Sequence, residues 1–260
     1  MWAPIQYEAA REDPRIRNWP PRDAWAAIYD VPVTRLVLWD IDGTLINAAG
    51  SGWRIVQQAY LDVCGSPLST TVQLAGRTDR AIYLEALELN GRNERDLAAL
   101  CRRVGELAVR QRDDIIAAGG RALPGALDAV TALAAQPGMV QSVLSGNLRA
   151  LGVVKLGAFG LLDQLDLRLA AFGDDHVVRA DLVGIAREAY ASCNGTGTAP
   201  DVVLIGDTPL DVAAARESGA GIVAVATGHY SATELGAAGA TAVLPDLTDT
   251  DRVVDAVMRA

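Results

Sequence analysis

The sequence predicts an α/β fold, with a Rossmann-like, mainly parallel sheet and an α-helical unit inserted after the first strand. Two observations carry this prediction. Helical and strand patterns alternate from residue 126 to the end of the chain, as they do in parallel sheets. The predicted strands also read as apolar runs without polar alternation, which is typical of strands covered by helices on both faces.

The first strand ends in two acidic residues. Leu36–Trp39 form the apolar run, Asp40 and Asp42 follow it, and Gly43 marks a turn. Residues two apart in an extended chain point the same way, so extension through Ile41 would place both carboxylates on one face. Two carboxylates at such a short distance raise each other's pKa. The pair therefore requires a metal or a proton.

Residues 53–117 show the pattern of amphipathic helices. Apolar residues recur there at helical spacing, as in Val56, Ala59, Tyr60 and Val63. Glycines at both ends of the stretch, and Pro124 after it, indicate two hinges. We therefore predict a helical unit over residues 50–123 and an α/β core formed by residues 34–49 and 124–260.

The core pattern continues with a helix from residue 126, strands near 140–144, 166–171, 202–206 and 222–226, and helices over 181–192 and 209–218. In open α/β sheets, ligands bind beyond the carboxyl ends of the strands. Residues 1–33 combine prolines with Trp2, Trp19 and Trp25, which predicts an arm that docks on the body of the protein or on a partner.

Composition excludes several classes of protein. The formal net charge of -9 and the absence of a lysine or arginine run argue against nucleic-acid binding. No apolar run nears the roughly 18 residues of a membrane span. Cys64, Cys101 and Cys193 are too few and too far apart for a disulfide framework, so a cytoplasmic protein is expected.

Four predicted strand ends carry polar residues: Asp40-Ile41-Asp42-Gly43-Thr44, Ser145-Gly146-Asn147, Gly173-Asp174-Asp175-His176 leading to Arg179, and Gly206-Asp207-Thr208-Pro209-Leu210-Asp211. In kind and order they resemble the motifs of haloacid-dehalogenase-superfamily hydrolases, of the phosphoglycolate-phosphatase-like branch. The resemblance covers residues 35–245, and the helical insert corresponds in position to the family's cap domain.

The resemblance implies a Mg²⁺-dependent phosphatase that works through an aspartyl-phosphate. Asp40 would be the nucleophile, Asp42 the acid and base, and Arg179 the cation that bridges Asp40 and the phosphate. Metal ligands would come from Asp40, the backbone carbonyl of Asp42, and Asp207, with support from Asp211. Substrate contacts would come from Ser145, Gly146, Asn147 and the cap residue Arg77, and Thr44 would steady the turn. The family more commonly has lysine where Arg179 stands, and Arg179 is the only cation in its segment.

Structural alternatives exist for several of these residues. Asp40 and Asp42 alone fit a solvated strand-end turn. Thr208, Pro209 and Asp211 match a helix N-cap, a first-turn proline and a capping-box acid. Ser145 and Thr78 could each cap the helix that follows.

The predicted substrate is a small phosphorylated metabolite, and the protein is expected to be a monomer or a homodimer. A sugar phosphomutase and a non-catalytic phospho-ligand sensor are the alternatives. A dehalogenase has no use for Asp42. A phosphonate hydrolase needs a cap lysine, and residues 50–123 contain none. A receiver domain is about half this length and has no such insert.

Overall fold

The computed structural model describes residues 34–69, 72–194 and 199–260. The arm predicted over residues 1–33 lies outside the described residues. No helix in the described ranges is long and apolar enough to cross a membrane.

The centre of the protein is a six-stranded parallel sheet in the order β5-β4-β1-β6-β7-β8. Its strands are β1 Arg35–Trp39, β4 Met139–Ser145, β5 Ala171–Phe172, β6 Asp201–Gly206, β7 Gly221–Val225 and β8 Ala242–Leu244. Two short strands, β2 Ile46–Asn47 and β3 Arg121–Ala122, pair antiparallel. The predicted fold class, an α/β protein with a mainly parallel sheet, is confirmed.

Ten α-helices lie in the described ranges: α1 Ser51–Cys64, α2 Asp79–Leu89, α3 Leu97–Arg110, α4 Arg112–Ala117, α5 Ala126–Ala134, α6 Arg149–Ala158, α7 Arg179–Asn194, α8 Pro209–Ser218, α9 Ala232–Ala237 and α10 Thr250–Arg259. A single 3₁₀ turn, Glu94–Asp96, precedes α3.

Strand β1 shows why the predicted strands lack polar alternation. Leu36 and Leu38 pack into the hydrophobic cluster on one face of the sheet, while Val37 and Trp39 pack into the cluster on the other. All four side chains are fully buried. Since alternate residues point to opposite faces, a strand covered on both faces must be apolar throughout.

The helices between β2 and β3 have a hydrophobic cluster of their own. It includes Ile55, Tyr60, Tyr83, Leu100 and further residues of α1–α4. Helix α6 of the core also contributes to it, through Leu151 and Val154, together with Leu148 just before the helix. Helix α6 therefore packs against both the sheet and the inserted helices, which we call the cap. The exact domain limits of 50 and 123 stay a prediction.

The strand predicted near residues 166–171 is wrong in extent, since β5 comprises only Ala171 and Phe172. The preceding segment folds as turns around the buried Asp166, whose backbone N–H donates to the Gln141 carbonyl at 2.8 Å. Arg168 pairs with the Asp166 carboxylate. Leu165 and Leu169 are buried without belonging to a strand. The apolar pattern there reflects burial, not an extended backbone.

Candidate active site

A cavity of about 390 Å³ lies between the carboxyl end of the sheet and the cap. The core contributes polar residues from the ends of β1, β4 and β6, and the cap contributes Trp53, Val56, Leu74, Arg77 and Ile82. The site is therefore where the parallel sheet predicts it, with a mostly apolar wall opposite the polar one.

Three buried carboxylates meet at one side of this cavity. Asp40 follows β1, Asp207 follows β6, and Asp211 lies in the first turn of α8. One oxygen from each lies within 4.8 Å of the others. Strands β1 and β6 are paired neighbours with Trp39 opposite Ile205, so both chains leave the sheet at the same level. Burial is the main cause that raises the pKa of Asp40 and of Asp207, and the neighbouring carboxylates raise both further.

The Asp207 side chain is enclosed on several sides. Thr44, fully buried, donates its hydroxyl hydrogen to Asp207 Oδ1 at 3.2 Å. A Cβ atom added at Gly43 or at Gly228 would lie 2.4 Å or 1.7 Å from Asp207 Oδ2. Thr44 was predicted to steady the turn, and the structure places its hydroxyl on the carboxylate of a candidate metal ligand.

Asp211 forms the predicted capping box. Its Oδ2 accepts hydrogen bonds from the backbone N–H and the hydroxyl of Thr208, at 3.0 and 2.6 Å. The other oxygen, Oδ1, lies 2.6 Å from Arg179 Nη2. Asp211 therefore stabilises the helix start and belongs to the acidic cluster at the same time.

Arg179 stands at the first position of α7 and is 8% exposed. Its Nη2 lies 3.0 Å from Asp40 Oδ1 as well as near Asp211, and its Nη1 donates to the Gly76 carbonyl at 3.3 Å. Burial alone would lower the pKa of the guanidinium, but the charges of Asp211 and Asp40 outweigh it and raise that pKa. The predicted contact between Arg179 and Asp40 is present.

The Ser145-Gly146-Asn147 turn follows β4 at the same end of the sheet. Asn147 Nδ2 donates to Ser145 Oγ at 2.9 Å and to Asp42 Oδ2 at 2.8 Å. Ser145 does not cap α6, because the N-cap residue is Leu148 and the donors to Ser145 Oγ both belong to Asn147, which precedes the helix. Instead, the Leu148 N–H donates to Asp79 Oδ2 of the cap, at 2.8 Å. Ser145 is thus free of the capping role and faces the cavity.

Residues Gly76–Asp79 of the cap lie directly on this turn. The Asp79 N–H donates to the Gly146 carbonyl at 2.6 Å, and a Cβ atom at Gly146 would lie 2.0 Å from the Arg77 carbonyl oxygen. Thr78 caps α2 and also donates to the Val177 carbonyl at 2.8 Å. Burial raises the pKa of Asp79 to about 6, although the charge of Lys155 opposes the rise.

Arg77 lines the cavity, but its guanidinium is engaged within the cap. It pairs with Glu85 and donates to the Gln73 carbonyl at 3.1 Å. A contact between Arg77 and substrate would require that pair to open.

Asp42 has different partners from Asp40. Strand β1 ends at Trp39, and the N–H groups of Leu45 and Ile46 both donate to the Ile41 carbonyl, so the chain turns after Ile41. Both carboxylates nevertheless line the same cavity, and the charge of Asp42 is one of the causes that raise the pKa of Asp40. Asp40 joins the acidic cluster, and Asp42 pairs with Lys155, whose Nζ lies 2.5 Å from Asp42 Oδ2.

Lys155 is a functional candidate that the sequence analysis missed. It lies on α6 and not at the position of Arg179, where the family more commonly has lysine. A signal was present in the sequence: Lys155 is a lone charge within the apolar run Leu151–Leu156, where a helix covered on all sides has no place for an unpaired ammonium.

Comparison with known families agrees with this geometry. The profile of the haloacid dehalogenase-like hydrolases matches residues 37–216, well over half of the chain. The chain therefore belongs to the haloacid dehalogenase-like hydrolase family, and the predicted resemblance is confirmed. A comparison with curated proteins gives no significant match.

Solved structures with the same fold include three instructive ones. A hydrolase from Pseudomonas syringae has a TM-score of 0.61 at 21% identity, covering 85% of this chain and 98% of its own. A protein from Haemophilus somnus 129pt, predicted to be a phosphoglycolate phosphatase, has a TM-score of 0.62 at 17% identity, covering 84% and 97%. A Thermotoga maritima protein proposed to be a β-phosphoglucomutase has a TM-score of 0.53 at 18% identity, covering 85% and 98%. At such identities the likeness shows the fold alone.

Proposed function

We propose that this protein is a Mg²⁺-dependent phosphatase that hydrolyses a small phosphomonoester through an aspartyl-phosphate on Asp40. The observation that carries the proposal is that the two aspartates of the first motif pair with different cations. Asp40 lies in a cluster of carboxylates beside Arg179, and Asp42 pairs with Lys155. Two carboxylates with different counter-charges can take different chemical roles.

The acidic cluster fits a hard divalent cation. Its donors are carboxylate oxygens, which Mg²⁺ prefers, and three buried carboxylates this close need more positive charge than one guanidinium supplies. Asp40, Asp207 and the backbone carbonyl of Asp42 would hold the ion, and Asp211 would support it. When bound, Mg²⁺ would offset the charge of the phosphoryl group as it approaches the carboxylates.

The residues of the chain would then divide the reaction as follows. An Asp40 oxygen attacks phosphorus, the bond from phosphorus to the ester oxygen breaks, and Asp42 gives its proton to the departing oxygen. Water next attacks phosphorus of the aspartyl-phosphate, Asp42 takes a proton from that water, and Asp40 is released together with inorganic phosphate.

Arg179, Ser145 and Gly146 would hold the phosphate oxygens. Arg179 Nε is buried and makes no hydrogen bond with any described residue, so it has a donor to offer a ligand. The Ser145 hydroxyl and the Gly146 N–H lie at the end of β4, beside the cavity. Donors fixed in this way can bind the phosphoryl group without rearranging.

The test is release of phosphate from p-nitrophenyl phosphate by the parent and by Asp40→Asn, each with Mg²⁺ and with EDTA. We expect Asp40→Asn and EDTA each to lower the rate at least about a thousandfold. Asp255→Asn, a change at an exposed helical residue that does not line the cavity, is the matched control and should keep the parent rate. Turnover by Asp40→Asn at the parent rate would refute the proposal, and no turnover by the parent would favour a phospho-ligand sensor.

A sugar phosphomutase is the second candidate, favoured by the fold shared with the Thermotoga maritima protein and by the cap that closes over the site. It would use the same core residues and pass the phosphoryl group back to a sugar hydroxyl. Incubation with a hexose phosphate separates the two, since a phosphatase yields inorganic phosphate and a mutase yields an isomeric ester.

A further inference from the structure

Lys155 is the one lysine among the 23 lysine and arginine residues of the chain. It lies in α6, a helix buried between the sheet and the cap, and its side chain is only 5% exposed. A buried ammonium is costly unless it is paired and hydrogen-bonded. Some interaction must therefore offset the cost of burying this single lysine in the cavity wall.

Two hydrogen bonds offset this cost. Its Nζ donates to Asp42 Oδ2 at 2.5 Å and to Asn147 Oδ1 at 2.7 Å. Asn147 in turn donates through Nδ2 to the same oxygen, Asp42 Oδ2, at 2.8 Å. Among the described residues, every hydrogen bond to the Asp42 carboxylate reaches Oδ2. One oxygen of Asp42 is therefore anchored by two donors, and Oδ1 is left for another partner.

We propose that Lys155 is a positioning residue that fixes Asp42 through Oδ2, so that Oδ1 meets the leaving oxygen of the ester. This inference rests on the proposed phosphatase function and assigns a role to a residue outside its four motifs. Lys155 need not touch the substrate. It acts through Asp42, and its effect depends on how much the departing group needs a proton.

The space around Lys155 suits lysine better than arginine. A Cβ atom at Gly52, in the first turn of the cap helix α1, would lie 3.1 Å from Lys155 Nζ and 3.3 Å from its Cε. The cap backbone therefore closes directly over a compact ammonium, and a planar guanidinium is larger. Gly52 also gives a way to displace Nζ without removing its charge.

A leaving-group comparison separates positioning from a general structural role. p-Nitrophenolate departs without help from an acid, whereas a simple alkoxide needs a proton as it leaves. If Lys155 positions Asp42, its removal should slow alkyl phosphates much more than p-nitrophenyl phosphate. A packing defect or weaker phosphate binding would slow both esters alike.

The experiment measures kcat/KM of the parent, Lys155→Met and Val154→Ala with p-nitrophenyl phosphate and with a primary alkyl phosphate. Val154→Ala is the matched control, because Val154 is a buried neighbour on the same helix that packs against the cap cluster. For Lys155→Met we expect a loss of about a hundredfold or more with the alkyl ester and less than about tenfold with the aryl ester. Val154→Ala should leave the ratio of the two unchanged.

A second variant keeps the proposal testable if Lys155→Met does not fold. Gly52→Ala retains the ammonium and pushes it aside, and it should lower the alkyl rate about tenfold while the aryl rate stays within about a factor of two. Equal losses on both esters, or no loss on either, would overturn the role of Lys155. These results differ from failure of the proposed function itself, which would appear as turnover that survives Asp40→Asn.

Discussion

Replacing Asp42 with asparagine removes the carboxylate that pairs with the buried ammonium of Lys155. The side chains of Asp42 and Lys155 differ in burial. The Lys155 side chain is 5% exposed and the Asp42 side chain is 42% exposed. Removing Asp42 therefore leaves a charge that water cannot easily reach. Removing Lys155 leaves a carboxylate that can be hydrated. The two substitutions should differ in cost, although they break the same contact.

The magnitude follows from that difference. Losing one partner of a fully buried pair costs about 3–5 kcal/mol. Solvent already screens Asp42, and Lys155 keeps the Asn147 oxygen, so we expect about 2 kcal/mol for Asp42→Asn. Lys155→Met replaces the side chain with an apolar one of similar length, and Asp42 keeps the Asn147 hydrogen bond and its access to water, so the change should cost about 1 kcal/mol or less. For a chain of this size, 2 kcal/mol corresponds to a fall in Tm of about 4–8 °C.

The assay is thermal and urea unfolding of both single variants and of the double variant, all without metal. The double variant should be about as stable as Lys155→Met, because the unpaired ammonium is gone, which gives a coupling of about 2 kcal/mol. The exposed pair of Asp255 and Arg259 is the control, and Asp255→Asn should change stability by less than about 0.5 kcal/mol. The reasoning is refuted if Lys155→Met costs as much as Asp42→Asn, or if the two effects add.

Two further predictions concern the proposed metal site and the contact between cap and core. Burial raises the pKa of Asp40 and Asp207, so the metal-free protein should lose the corresponding stability as the pH rises from about 4 towards 8. Mg²⁺ needs the deprotonated carboxylates, and it should therefore raise Tm more at about pH 8 than at about pH 5. An equal rise at both pH values in a thermal melt would contradict this. Gly146→Ala should displace the cap loop, because its Cβ would lie 2.0 Å from the Arg77 carbonyl. We expect kcat/KM to fall about a hundredfold while circular dichroism shows the fold retained, and parent activity would count against close cap contact.

The sheet was predictable from sequence because its strands are buried on both faces. The apolar runs in β1, β4, β6 and β7 match the structure within a residue or two. The same apolar pattern wrongly predicted a strand over residues 166–171. The apolar side chains there are buried, but the backbone forms turns that Asp166 stabilises. Hydrophobic pattern reports burial, and it predicts a strand only where the backbone can also pair.

The acidic cluster was predictable because strand order places the residues after β1 and β6 side by side. The hydrogen-bond and ion-pair partners of the individual carboxylate oxygens could not be predicted from the sequence. Thr44 contacts Asp207, Arg77 pairs with Glu85, and Lys155 reaches Asp42 from a helix that follows β4. These contacts depend on how the cap and α6 pack together, and that packing combines residues distant in sequence without a motif of fixed spacing.

Two acids separated by one residue would normally share an environment, and here each has its own cation. Arg179, at the start of α7, lies beside Asp40, and Lys155, in the middle of α6, lies beside Asp42. A guanidinium stays charged throughout a reaction and can hold both Asp40 and a phosphate oxygen. An ammonium with two acceptors can fix one Asp42 oxygen while leaving the other for proton transfer. Both carboxylates line the same cavity, and their separate counter-charges give each one a different electrostatic environment before any ligand arrives.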